Sequence, residues 1–333
     1  MNEPLFYLET NSFNPFYNLS FEEVVLSTRL SGNYLILWQN DRTIVIGRNQ
    51  NAAAEINRDF VDRHGIYTVR RCSGGGAVYH DLGNLNYSFI TDSTTSYRNV
   101  IQQFMNLIAD TLQQLNLDAV VSGRNDILVE GHKVSGTAQR ILGNRILHHG
   151  TLLFDSDLDM VASSLNVDPR KYESKGIKSV RGRVGNIRSF LSQDMDILGF
   201  QNHIKNTLGK SGLIPSCLTQ HELSAVSELC ANKYQTWDWN YGKSPNYAFS
   251  DRRKWPGGIL EVQLSVEAGV IANIAFLGDF LSVLPLDIIE GALKGCRMCW
   301  PEVESTLNKF DLSLYFGEIA ENEILQTIFD AYG

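Results

Sequence analysis

The order of elements in this chain predicts an α+β fold: a mixed, largely antiparallel sheet with flanking helices, followed by a small α+β unit at the C-terminal end. Three observations carry that prediction. Short apolar runs separated by a few turn residues recur in the first half of the chain, a pattern of hairpins rather than of parallel crossovers. Amphipathic helices are interspersed, the clearest over residues 100–117, where Ile101, Phe104, Met105, Ile108 and Leu112 share one stripe. Past Lys243-Ser244-Pro245-Asn246, which reads as a linker, strands and helices begin again. The 333 residues therefore divide into 1–245 and 246–333, in keeping with a length that suggests about two domains.

Taken in order, residues 5–9 read as a first strand, 11–18 as turn, and 19–30 as a helix with Leu19, Val24, Leu26 and Leu30 at helical spacing. Residues 34–39 and 43–47, joined across Asn40-Asp41, read as a hairpin. A helix is expected over 52–64 and a buried strand over 66–69; residues 85–90 alternate like a strand with one buried face. Residues 126–129 and 133–141 pair around the turn Glu130-Gly131-His132, and 148–154 return as another strand. Helix resumes near 157–165, ends at Asp168-Pro169, and is expected again over 192–229, ahead of an aromatic stretch at 237–242. In the last part, 257–266 and 270–277 form two strands turning at Glu267-Ala268-Gly269, and helices follow near 284–295, 300–308 and 320–331.

Composition excludes several classes. Hydrophobic content of 43% and charged content of 20% are ordinary for a soluble globular protein. No apolar run approaches the roughly 20 residues of a membrane span. Residues 1–5 resemble neither a secretion signal nor an organelle transit peptide, so a cytoplasmic protein is expected. A formal charge of −8 without a basic stripe argues against a nucleic-acid binder. Cys72, Cys217, Cys230, Cys296 and Cys299 are odd in number and scattered. The lone C-x-x-C at 296–299 shows no partners for a metal or redox role, so reduced thiols are expected.

Two stretches carry chemistry. In the first, residues 70–84, Arg70 and Arg71 arrive from an apolar strand and are followed by Ser73 and three consecutive glycines, Gly74, Gly75 and Gly76. A glycine run lets backbone approach a ligand closely, and successive N–H groups in such a loop form an anion-binding concavity. Two permanently charged planar forks beside it suit phosphate or carboxylate. No Gly-Lys-Ser/Thr follows, so this is not a Walker A loop, and the glycines are not spaced as in a dinucleotide fold. The plainer alternative is a glycine-rich turn with two surface arginines. The second stretch, 125–140, holds Lys133 at the start of a strand among small residues, Ser135, Gly136 and Ala138, which leave room for a ligand. Its plainer alternative is a solvated lysine.

Together the two stretches resemble the lipoate–protein ligase A family. The matching elements are Arg-Arg-x-Ser-Gly-Gly-Gly-Ala-Val-x-His-Asp-x-Gly-Asn at 70–84 and Ser-Gly-Arg-Asn-Asp at 122–126. Lys-x-Ser-Gly-x-Ala-x-Arg at 133–140 and His-His-Gly-Thr-Leu-Leu at 148–153 complete the set, in the family's order and spacing. The resemblance implies the biotin/lipoate ligase catalytic fold over 1–245, an accessory domain over 246–333, and an AMP-forming reaction in two steps. A carboxylic acid attacks the α-phosphate of ATP, and a protein lysine then attacks the acyl-adenylate.

On that resemblance, ATP and Mg²⁺ are the expected cofactors and lipoate the substrate. Lipoyl domains of 2-oxoacid dehydrogenase complexes and the glycine-cleavage carrier protein are the expected acceptors, and the protein is expected to act as a monomer. Lys133 would be the catalytic cation. Nucleotide or lipoyl-AMP would meet Arg71, Ser73, Gly74, Gly75, Gly76, Ala77, Tyr79, Asn84, Asn125, Asp126, Ser135 and Ala138, with Asp126 also the candidate Mg²⁺ ligand. Leu19, Trp38, Val45, Gly47, His80, Gly136 and His149 would wall a lipoate pocket, though as single residues each fits plain core packing as well. The basic, acid-free segment around Lys175, Gly176, Lys178, Ser179, Val180 and Arg181 is either a solvated loop or, on the family pattern, a mobile flap that closes the site.

Three other readings stay open. A transferase using preformed lipoyl-AMP or a protein-bound acyl donor would share every motif. A thiol carrier at Cys72 would need a positioned base, and a non-catalytic acyl-binding protein would not need Lys133. Biotin ligase chemistry fits less well, because the Gly-Arg-Gly-Arg signature is missing.

Overall fold

The computed structural model describes residues 4–92, 97–165, 183–209, 212–241 and 249–332. Its strands are β1 (Leu5–Glu9), β2 (Asn33–Trp38), β3 (Thr43–Ile46), β4 (Tyr67–Arg70), β5 (Val78–His80), β6 (Asn84–Asp92) and β7 (Ala119–Ser122). They continue with β8 (Asp126–Val129), β9 (His132–Leu142), β10 (Arg145–Leu153), β11 (Leu213–Pro215), β12 (Phe249–Trp255), β13 (Gly258–Glu267) and β14 (Val270–Gly278). An eight-stranded sheet runs β11-β1-β2-β6-β10-β9-β8-β7, with two smaller sheets, β4-β3-β5 and β12-β13-β14. In the large sheet only β11-β1 and β1-β2 are parallel, so the expected mixed, largely antiparallel sheet is present. No helix among the described residues is long and apolar enough to cross a membrane.

Helix α1 (Pro15–Thr28) starts earlier than periodicity alone suggests. Asn14 caps it by accepting from the N–H groups of Phe16 and Tyr17, and Pro15 sits at the first helical position, where its missing N–H costs nothing. The expected helix over 52–64 is two short ones, α2 (Ala52–Glu55) and α3 (Arg58–Arg63), because Asn57 breaks the run and caps the second. Helices α4 (Tyr97–Gln113), α5 (Leu158–Ser164), α6 (Ile197–Leu208), α7 (Gln220–Leu229) and α8 (Trp237–Asn240) follow. The helical stretch expected over 192–229 is interrupted by β11, which adds to the sheet edge beside β1.

The hairpin expected across Asn40-Asp41 does not form. β2 lies between β1 and β6, whereas β3 crosses into the small sheet between β4 and β5. Every residue of both strands is buried, so neither has the solvent face of an edge hairpin. Polar contacts hold the corner: Asp41 donates its N–H to Phe13 O, and Asn40 bonds to Asn18 and His80. β6 is likewise buried on both faces, not one, because helices pack on each side of the central sheet. The β8–β9 hairpin forms as expected: Glu130 and Gly131 both take positive φ (48° and 80°), the requirement of a tight two-residue turn.

One apolar cluster packs α4 and α6 on the sheet through Phe104, Ile108, Leu112, Phe200 and Ile204. On the other face Leu19, Val25, Leu26 and Val226 pack α1 and α7 against Ile36, Trp38 and Val69. A separate cluster around Leu260, Phe276, Phe280 and Phe316 belongs to the C-terminal part. That part combines β12-β13-β14 with α9 (Asp287–Leu293), α10 (Trp300–Leu307), α11 (Leu312–Phe316) and α12 (Glu321–Tyr332). β12 and α11 had no clear pattern in the sequence. All five cysteines are unpaired.

Arg70, the first of the two arginines before the glycine loop, is buried and structural. Its guanidinium donates to five carbonyls, those of Gly47, Arg48, Gln50, Trp239 and Asn240, fastening the loop after β3 to α8. Burial, with Arg71 and Arg48 nearby, pulls its pKa down to about 10, still charged at neutral pH. Arg70→Met leaves these carbonyls without a donor, and we expect a loss of about 3 kcal/mol or more in a urea titration.

A second buried group sets a pH dependence. His148 stacks on Phe104 with ring centroids 5.4 Å apart, and burial pushes its pKa down to about 3. The folded value lies below the unfolded one of about 6.5, so the contribution is complete above that pH and is lost as pH falls toward 3. We expect urea midpoints to decline through this window and His148→Phe to flatten the decline.

Candidate active site

The glycine loop leaves β4 at Arg71 and is folded by that side chain. Arg71 is 6% exposed and spends four of its five N–H groups within the protein. Nε donates to Ser73 Oγ, Nη1 to Val45 O, and Nη2 to both Gly74 O and Gly76 O. The guanidinium thus curls the loop around itself and also lines a pocket. Gly75 has φ of 87°, a conformation that suits glycine. Gly74 is needed for contact, since a Cβ there would stand 2.6 Å from Ser282 N.

That contact changes the expected use of the loop. The N–H of Gly74 donates to Ser282 O at 3.3 Å and that of Gly75 to Phe280 O at 3.0 Å. Asn49 Nδ2 donates to Ser282 Oγ, and Asn49 O accepts from Gly278 N, so the C-terminal part is tied along this edge. The expectation that the Gly75 N–H faces nucleotide phosphates is not met in this arrangement, because a carbonyl already holds it.

Lys133 lies near the start of β9, on the far wall. Its Nζ is 2.7 Å from Asp126 Oδ1, and Arg183 Nη2 is 3.3 Å from Asp126 Oδ2. Its backbone is clamped as well: Lys133 N–H donates to Arg183 O, and Lys133 O accepts from Gly185 N. Asn125 is locked to Thr137, each backbone or side-chain amide donating across to the other's carbonyl. Asp126 is therefore engaged by two cations, and no cluster of three His, Cys, Asp or Glu suited to a metal occurs among the described residues.

Between these walls lies a cavity of about 110 Å³. Thirteen of the residues expected from the sequence line it: Leu19, Trp38, Val45, Arg71, Gly75, Gly76, Ala77, His80, Asn125, Lys133, Gly136, Ala138 and His149. Val78, Asn86, Thr137, Gly150 and Thr151 join them, unanticipated because only the fold brings β5, β6, β9 and β10 together. The rest stand behind. Ser73 and Ser135 are fully buried, Gly47 backs onto Gly75 O, and Asn84 bonds to Asn86. The Tyr79 ring points into the cluster of Ile44, Ile46 and Val61. Lys175 to Arg181 lie outside the described residues.

Behind the pocket runs a buried polar chain that the sequence did not announce. Ser73 Oγ is 2.6 Å from His149 Nε2, and His149 Nδ1 is 2.9 Å from Glu22 Oε1. Ser88 Oγ donates to Glu22, and Trp38 Nε1 donates to Ser88. A serine, a histidine and a carboxylate in line resemble a nucleophile relay. Ser73 has no exposed surface and also takes the Arg71 Nε–H, so the chain orients pocket walls rather than attacking a substrate. The sequence does not separate Glu22 from its neighbour Glu23; the fold alone decides that Glu22 turns inward. Cys72 is buried too, and burial with Glu23 and Glu22 nearby pushes its thiol up to about 12. Cys72 is 3% exposed and does not line the cavity, which, with the raised thiol pKa, counts against the thiol-carrier reading.

Chemically, the arrangement offers a cation at the half-open mouth of a pocket whose inner walls are mostly apolar, as an amphiphilic acid requires. Comparison with known proteins agrees. Residues 14–209 match the model of the lipoyl protein ligase A/B catalytic domain, and 244–328 match that of the bacterial lipoate protein ligase C-terminus. Lipoate–protein ligase 1 of Staphylococcus aureus is 40% identical over 323 residues, covering 96% of this chain and 98% of its own. The ligase LplJ of Bacillus subtilis is 40% identical over 331 residues, 98% of this chain and 100% of its own. Among solved structures, P. falciparum LipL1 in complex with lipoate shares the fold, with a TM-score of 0.81 at 24% identity and 98% coverage of both chains. A lipoate–protein ligase A bound with ATP has a TM-score of 0.64 at 28% identity, covering 73% of this chain and 99% of its own. With both parts matched and its relatives alike over nearly their whole length, this chain belongs to the lipoate–protein ligase A family.

Proposed function

We propose that this ligase activates free lipoate with ATP and transfers the lipoyl group, through lipoyl-AMP, to a lysine of a carrier domain. The observation that carries the reading is Lys133 Nζ at the mouth of the lined cavity, beside Asp126 and opposite the arginine-held glycine loop. In the first step a lipoate carboxylate oxygen bonds to the α-phosphorus of ATP and pyrophosphate leaves. In the second, the neutral acceptor amine bonds to the acyl carbon, AMP leaves, and the amide forms with release of a proton.

Neither step asks the enzyme for a nucleophile. Both ask it to hold anions together and to offset charge on the reacting oxygens, which is positional and electrostatic work. Lys133 supplies a compact ammonium for the α-phosphate and the acyl carbonyl once it leaves Asp126. Magnesium would enter with the triphosphate, Asp126 being the carboxylate that would hold it, and would supply neutralisation of phosphate charge. Lipoyl domains of 2-oxoacid dehydrogenase complexes and the glycine-cleavage carrier protein are the acceptors in this reading. The enzyme acts as a cytoplasmic monomer, with a catalytic domain over 1–245 and an accessory domain over 246–333.

Because carbonyls of Phe280 and Ser282 hold the Gly75 and Gly74 N–H groups, serving phosphates requires the accessory domain to draw back. We expect the small-angle scattering profile to change on adding ATP and lipoate together; an unchanged profile counts against this step.

The test of the reaction is pyrophosphate release from ATP, with and without an apo lipoyl domain. Release that depends on lipoate, followed by loss of charge on the acceptor lysine, is the expected result. Lys133→Ala is expected to lower it by about 100-fold or more. Transfer from supplied lipoyl-AMP without any release would replace this reading with that of a transferase.

A further inference from the structure

One arginine of the motif stretches does not line the cavity. Arg124, at the centre of Ser-Gly-Arg-Asn-Asp, sits on the turn between β7 and β8, next in sequence to Asn125 and Asp126. Its side chain reaches instead to the C-terminal part: Nη1 donates to Gly257 O, and Nε lies 3.8 Å from Glu318 Oε2. Among the described residues, both of its polar partners belong to that part.

The groups that Arg124 holds are knitted to the segment that covers the glycine loop. Gly257 lies so close to the chain at 318–319 that a Cβ would stand 2.3 Å from Ile319 N. Ile259 N–H donates to Asp279 Oδ1 at 2.7 Å, and Asp279 N–H donates to Ile259 O at 3.2 Å. A Cβ on Gly317 would stand 2.9 Å from Leu281 O. Residues 257–259, 279–282 and 317–319 thus form one close-packed knot of backbone, which moves as a unit. From this knot Phe280 O accepts from Gly75 N–H and Ser282 O from Gly74 N–H. A cavity of about 210 Å³, lined in part by Arg124, Gln139, Leu281, Val283 and Ser313, lies between the two parts of the chain. Apolar packing does not close the interface there, so polar contacts carry more of the hold.

We propose that Arg124 is a positioning residue that latches this knot and so keeps the Gly74 and Gly75 N–H groups on carbonyls until nucleotide arrives. This rests on the reading that the C-terminal part draws back to serve the phosphates. Arg124 touches no reacting atom. It sets the fraction of molecules whose glycine loop is open, and the apparent affinity for nucleotide scales with that fraction. The sign of its effect is diagnostic. Removing a cation close to the site of a polyanion weakens binding by charge alone; removing a latch tightens it.

The test is a calorimetric titration of the whole chain with a non-hydrolysable ATP analogue. Arg124→Met, which keeps an unbranched stem but no donor, is expected to bind it about fivefold more tightly than the wild-type protein, because the parked state loses a charge-assisted hydrogen bond. Arg124→Lys, which keeps a cationic donor, is expected to fall between the two. The scattering profile of ligand-free Arg124→Met is expected to shift toward that of the wild-type protein with ATP and lipoate. Arg124→Gln takes the place of the methionine variant if that one does not fold. Unchanged or weaker binding by the folded variant, while the wild-type profile does respond to ATP and lipoate, would overturn the latch alone. A wild-type profile that does not respond would instead overturn the withdrawal reading beneath it, and the proposal with it.

Discussion

Two adjacent guanidiniums buried at the end of β4 are the constraint on which the site depends. Removing charge from water is expensive, and a buried arginine is tolerated only when its N–H groups are matched. Here the matching partners are almost all carbonyls of loops that have no regular structure of their own. Arg70 gathers the loop after β3 and the end of α8; Arg71 gathers the glycine loop. The loops in turn would leave carbonyls stranded in a low-dielectric interior if either arginine were lost. The site's shape is therefore set by charge held at a fixed point, with the backbone wrapped around it.

The large sheet does the complementary task of aligning walls. β9 and β10 pair from Thr137 to Leu142, which puts Ala138 beside His149 in register. The tight turn at Glu130-Gly131 sets where β9 begins and so where Lys133 stands. Below this frame the cavity's polar atoms are tied to one another in long chains: Asn18 to Asn40 to His80 on one side, Ser73 to His149 to Glu22 on the other. His80 Nδ1 and both ring nitrogens of His149 are therefore engaged before any ligand arrives.

Much of this was legible in the sequence, for physical reasons. The β8–β9 turn shows itself because few residues tolerate two consecutive positive φ values, and the α4 stripe because one face alone is buried. Lys133, His80 and His149 were found through their motif neighbours. What escaped detection depends on contacts distant in sequence. β2 and β3 look like a hairpin from spacing alone, yet complete burial of both sends them to different sheets. Helix α1 begins at Asn14-Pro15, a cap signal that was readable but was outweighed by apolar spacing. Arg70 and Arg71 look alike as letters; only the fold shows that one faces loop carbonyls and the other a cavity. Glu22 and Ser88 lie in elements whose sequence says nothing of their partner on β10.

The contact of the glycine loop with residues 280 and 282 has a thermodynamic consequence. Bare N–H groups waiting for an anion would be costly in a partly dry cleft, and here they are parked on carbonyls. If phosphates take those same N–H groups, nucleotide binding is an exchange, and its apparent affinity is the intrinsic one reduced by the fraction of molecules in the parked state. The hydrophobic core around Phe280 and Phe316 then helps to set that fraction from well outside the cavity. Substitutions there would then tune nucleotide affinity without altering a single atom that meets the nucleotide, a dial that lies outside the loops of the site.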